Sequence, residues 1–105
     1  MLPELRQRLE RGEILFMPSI VLFEWWRGSR LEQELAIQEA LLPSRNAIEF
    51  GIQEAAVAAR LYRQVTRGRG REMDLAIAAC AIVREIRLWT TNRRDFADIP
   101  GLKLV

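Results

Sequence analysis

Glu72–Val105 reads EMDLAIAACAIVREIRLWTTNRRDFADIPGLKLV and contains all three aspartates of the 105-residue chain, Asp74, Asp95 and Asp98. The nearly unbroken apolar run after Asp74 predicts a helix from about Asp74 to Glu85 that is buried on almost every face, as a helix packed between layers is. Arg87–Thr91 then predicts a strand, Arg93–Ala97 a helical turn, and Leu102–Val105 a closing strand. Asp74 and Asp95 fall where an apolar element meets a polar turn. Such a place holds a carboxylate rigidly and still lets it reach a metal ion or water.

Upstream of this stretch the same alternation continues. Leu2–Arg11 has apolar residues at helical spacing among its charges, and Gly12 is a natural stop. Ile14-Leu15-Phe16-Met17 predicts a short buried strand, after Pro18 Ser19 is placed to cap a helix, and that helix runs from about Ile20 to Gly28. A helix over Leu31–Leu42, a brief strand over Ala47–Phe50 and a longer helix over Ile52–Thr66 follow, and Gly68 and Gly70 break the pattern in a basic RGRGR loop. Strands alternating with helices through short connections imply an α/β fold, a parallel sheet with helices on its faces. Ligands in such folds bind at the carboxyl ends of the strands.

Composition narrows the chemistry. A chain of this length supports one domain, residues 1–105. No apolar run is long enough to span a membrane, and the charged N-terminus lacks the apolar core of a secretion signal, so a cytoplasmic protein is expected. The single cysteine, Cys80, sits in the apolar run and is expected to be a core residue, not a nucleophile. With no histidine in the chain, serine–histidine triads and histidine-ligated zinc are excluded. The net charge is only +2, but fifteen of the sixteen basic residues are arginine. Arg60, Arg63, Arg67, Arg69 and Arg71 lie in a segment without acids. Two readings of that stripe stand side by side: a phosphate-binding surface, and a solvated helix face.

Glu24, Asp74 and Asp95 each lie close to an expected strand-to-helix junction, so the topology allows them to face one cleft. Grouped carboxylates repel one another unless a cation neutralises them. Mg2+ or Mn2+ suits such a set, because these ions prefer oxygen ligands and activate water for attack on a phosphodiester. Each acid also has a plain alternative: Asp74 as a helix N-terminal charge, Glu24 as a surface acid, Asp95 as a cap of the following turn. Trp25 and Trp26 are expected to serve core or oligomer packing ahead of stacking on bases.

Three segments carry a resemblance to a known family. Pro18-Ser19-Ile20-Val21-Leu22-Phe23-Glu24 with Gly28, Asp74-Leu75-Ala76-Ile77-Ala78-Ala79, and Leu88-Trp89-Thr90-Thr91-Asn92-Arg93-Arg94-Asp95-Phe96 with Ile99-Pro100-Gly101-Leu102 together resemble a PIN domain of the VapC-type toxin ribonucleases. The resemblance implies a three-layer fold with a parallel sheet flanked by helices, and Mg2+- or Mn2+-dependent hydrolysis of RNA. It also implies a small antitoxin as partner, and a homodimer. By resemblance, Glu24, Asp74 and Asp95 match acidic metal-site positions, and Thr90 and Asn92 match polar residues that shape that site. Asp98 matches no acidic position and is expected to be a solvated turn or helix-end residue.

The chain departs from the family pattern at its start. The family's first, central strand and the aspartate that ends it are missing, so the sequence begins near the family's second helix. A late start codon, a truncated gene model or a fragment is the expected origin, with weaker metal binding and turnover as the consequence. Two rival readings follow: a non-catalytic binding or assembly module, using Trp25, Trp26 and the Leu35–Leu42 region as docking surfaces, and a small fragment without independent function.

Overall fold

Six helices and one 3-10 turn form along residues 2–105, the residues described in this computed structural model. The chain gathers into two units, Met1–Glu49 and Phe50–Val105.

In the first unit, α1 (Leu2–Glu10), α2 (Ser19–Trp26) and α3 (Glu32–Leu41) follow the expected order. α1 buries Leu5, one of the apolar positions at helical spacing, and α2 buries Leu22. α3 starts where the Glu34 carboxylate accepts the Leu31 N–H at 2.9 Å, which satisfies a donor that the helix itself leaves free. Gln38 is buried and fully engaged: its Oε1 accepts the Trp26 indole N–H at 3.2 Å and its Nε2 donates to the Leu42 carbonyl at 3.1 Å. Trp26 is thereby fixed at one edge while half of it stays in solvent. Trp25 lies under the Arg30 guanidinium, 3.7 Å from the ring centroid.

Two expectations in this unit are corrected. Ser19 is not a cap: Pro18 holds the N-cap position without any side-chain bond, and the Ser19 N–H donates instead to the Ile48 carbonyl at 2.8 Å. Ile14–Met17 forms no strand. Its pairing is confined to one parallel bridge, Pro18 with Ile48, where Ile48 N–H also donates to Met17 at 2.8 Å. The expected strand at 47–50 likewise shrinks to Ile48. An all-apolar strand is stable when neighbours pair with it and layers cover it. Here Ile14 and Phe16 stay largely exposed, and no ladder runs beside them among the described residues. The 3-10 turn Ser44–Asn46 was not foreseen; the Glu39 carboxylate holds it by accepting the Ser44 hydroxyl at 2.8 Å and the Ser44 N–H at 3.0 Å.

The second unit contains α4 (Ile52–Gln64), α5 (Glu72–Arg84) and the short α6 (Arg93–Phe96). Leu75 to Cys80 are buried without a break, as the apolar run predicts, and α5 packs along α4 beside the fully buried Leu61. Each such leucine contributes about 1.5–3 kcal/mol of burial free energy. α5 closes with Glu85 in the left-handed conformation (φ 55°) and Ile86 N–H bonded to the Ala81 carbonyl at 3.1 Å. α4 opens with Gly51, whose N–H is accepted by the buried Glu54 carboxylate at 3.0 Å. Of the two strands expected here, one parallel bridge remains, Leu88 with Leu104. The basic loop turns at Arg67 (φ 60°) and Gly70 (φ 88°). Between them Gly68 approaches so closely that an added Cβ would sit 2.7 Å from the Tyr62 carbonyl oxygen.

Candidate metal centre

The second unit brings Asp74 and Asp95 into one electrostatic neighbourhood. Asp74 lies in the first turn of α5, which begins earlier than expected, at Glu72. Asp95 is the third residue of α6. The connection into α6 is shaped by Thr90, whose hydroxyl oxygen accepts the Asn92 N–H at 3.0 Å, and by the Asn92 carbonyl, which accepts the Asp95 N–H at 3.0 Å. Thr90 and Asn92 thus act on the backbone that carries Asp95. Asn92 holds the N-cap position of α6 without a side-chain bond.

Burial pushes the Asp74 carboxyl above the ordinary carboxylate range, and the charge of Asp95 pushes it further; the Arg71 guanidinium offsets part of both. The raised value therefore comes first from burial and second from the like charge of Asp95. A bound cation relieves that repulsion, so the donor set fits a hard divalent ion. Among the described residues, however, no three histidine, cysteine, aspartate or glutamate side chains are gathered into a metal-holding group. Glu24 belongs to the first unit, on α2, where its carboxylate lies 3.7 Å from Arg27.

Asp98 is an exposed turn residue just after α6, as expected, and it also carries a contact that the sequence did not announce: Arg71 clasps it with both nitrogens of its fork, Nη1 to Oδ2 at 2.9 Å and Nη2 to Oδ1 at 2.7 Å. Arg71 Nη2 also donates to the Asp95 main-chain carbonyl at 2.9 Å. The hydrogen bond from Arg71 holds the Asp98 carboxyl below its ordinary range, and the same bond raises Arg71. Reading the sequence alone missed this pair, because 27 residues separate its members and no spacing rule links them.

Arg71 therefore leaves the basic stripe, while Arg60, Arg63, Arg67 and Arg69 remain exposed. Cys80 is buried, and burial together with the Glu54 charge raises its thiol, as suits a core residue that takes no part in chemistry. No helix among the described residues is long and apolar enough to cross a membrane.

Comparison with known proteins identifies the family. A family model described as PIN domain matches residues 3–102. Ribonuclease VapC19 of Mycobacterium tuberculosis (strain CDC 1551 / Oshkosh) is 35% identical over 105 residues, covering 94% of this chain and 80% of the relative. The protein of the same name from strain ATCC 25618 / H37Rv is similar to the same extent. With nearly its whole length matched by the family model, the chain belongs to the PIN-domain family.

Proposed function

We propose that this protein is a VapC-like toxin ribonuclease that hydrolyses RNA phosphodiester bonds with Mg2+ or Mn2+. The observation that supports this most is the Asp74 carboxyl, raised by burial and further by the charge of Asp95, a setting that suits a divalent ion. Membership of the PIN family implies an α/β fold, and both backbone bridges run parallel, as such a fold requires. The three-layer arrangement is part of this reading.

In this reading Asp74 and Asp95, both in the second unit, hold the ion. Thr90 and Asn92 keep Asp95 on its turn through the backbone bonds described above. The ion, when bound, supplies positive charge against the phosphate oxygens and lowers the pKa of water. The exposed Arg60, Arg63, Arg67 and Arg69 draw the RNA backbone toward the second unit. A small antitoxin and a second copy of the chain are the proposed partners, and the cytoplasm the proposed location. Exposed apolar side chains in the first unit, among them Phe16, Phe23 and Leu31, support the partner assignment.

One observation favours a second reading, a PIN-fold binding or assembly module without catalysis: no group of three potential ligands forms among the described residues. Incubation with single-stranded RNA and Mn2+ separates the two. The nuclease reading expects cleavage that chelation stops and that Asp74→Asn lowers by about 100-fold or more, since even outer-shell changes cost 10–100-fold. Equal cleavage by both proteins rules Asp74 out as a ligand, and an inert native chain favours the module.

A further inference from the structure

The five arginines between Arg60 and Arg71 look equivalent in sequence, but the structure separates the last from the rest. Arg71 keeps only 21% of its side-chain exposure. Its guanidinium forms two bonds with Asp98 and one with the Asp95 carbonyl, and its Nη1 also reaches the Thr66 carbonyl at 3.5 Å. One planar group thus ties together the segment after α4, the residue that precedes α5, and the turn of α6.

Asp74 follows Arg71 by three residues, in the first turn of α5. Asp95, whose carbonyl Arg71 binds, is the other member of the carboxylate pair. We propose that Arg71, locked in place by Asp98, is a positioning residue that fixes the turn carrying Asp95 against the first turn of α5, so that the two carboxylates share one divalent ion. This rests on the metal-dependent reading given above. It also takes Arg71 out of RNA binding and leaves that task to its four exposed neighbours.

Electrostatics makes the idea testable by sign. A guanidinium beside two carboxylates opposes a cation by simple Coulomb repulsion, so charge alone predicts that removing Arg71 tightens ion binding. Positioning predicts the reverse, because ligand geometry is lost. Lysine separates the two further: it keeps the charge but cannot make the planar two-nitrogen grip.

The test is Mn2+ affinity of the full chain, read from the electron paramagnetic resonance signal of free Mn2+, with thermal unfolding recorded for each variant. The expected result is that Arg71→Met and Arg71→Lys both bind Mn2+ about 10–100-fold more weakly than the native chain. Unchanged or tighter binding by Arg71→Met, or native affinity in Arg71→Lys, overturns the positioning role and leaves the metal site standing. If Arg71→Met fails to fold, Asp98→Asn unties the grip with Arg71 in place; the same weakening is expected, and native affinity overturns the role. If the native chain takes up no Mn2+ saturably, both the site and the positioning role fall.

Discussion

The charge on Asp95 acts on Asp74: burial and that neighbouring carboxylate together hold the Asp74 carboxyl above its ordinary range. Between the unfolded and folded pKa values the folded chain binds more protons than the unfolded one, so stability falls as pH rises through that window. Asp74→Asn removes the penalty. Without metal, the variant is expected to melt above the native chain at neutral pH, and the two curves are expected to merge below the carboxylate range, where Asp74 is protonated in both states. Melting temperature against pH, in the presence of a chelator, is the measurement; a variant that melts below the native chain at pH 7 contradicts it.

The Arg71–Asp98 pair titrates the other way. Its hydrogen bonds depress Asp98, so its stabilisation is present above the ordinary carboxylate range and is lost as pH falls through the depressed value. Half of the Asp98 side chain is in solvent, which screens the attraction. A double-mutant cycle on Arg71→Ala and Asp98→Ala is expected to give a coupling of about 0.5–1 kcal/mol, at the upper end for exposed pairs because the contact is two-pronged. It should shrink in high salt. Coupling indistinguishable from zero in dilute buffer counts against the pair.

Gly68 is needed for its missing side chain. A methyl group there meets the Tyr62 carbonyl oxygen at 2.7 Å, and backbone cannot swing aside as a side chain does. Gly68→Ala is expected to destabilise by about 1–3 kcal/mol, the usual range for overpacking. Chemical denaturation checks it, with Gly68→Ser expected to do no better.

Leu61 is wholly buried beside α5. Leu61→Ala should cost about 2–5 kcal/mol through lost burial and a residual cavity. Cys80, buried in the same layer, should react with a thiol reagent only as fast as the chain opens, and faster in Leu61→Ala. A Cys80 that reacts at the rate of a free thiol in the native chain argues against this packing.

Helices were legible in the sequence because their signals are local. The apolar run after Asp74, the stop near Glu85 and the break at Gly68 each depend on residues within a few positions of one another. Strands were not, because a strand exists only through its neighbours: Ile14–Met17 has the composition of one, yet among the described residues pairing beside it is confined to the Pro18–Ile48 bridge. The site divides in the same way. Asp74 and Asp95 stand out as aspartates at element boundaries, and the structure couples them. The grip of Arg71 on Asp98 joins two distant segments, and nothing in the spacing of RGRGR or of Asp-Phe-Ala-Asp announces it.

The central claim is that Asp74 and Asp95 hold a divalent ion together, and calorimetric titration with Mn2+ tests it most directly. The account predicts saturable binding near one ion per chain, lost in both Asp74→Asn and Asp95→Asn. Native-like binding isotherms in either variant would contradict it.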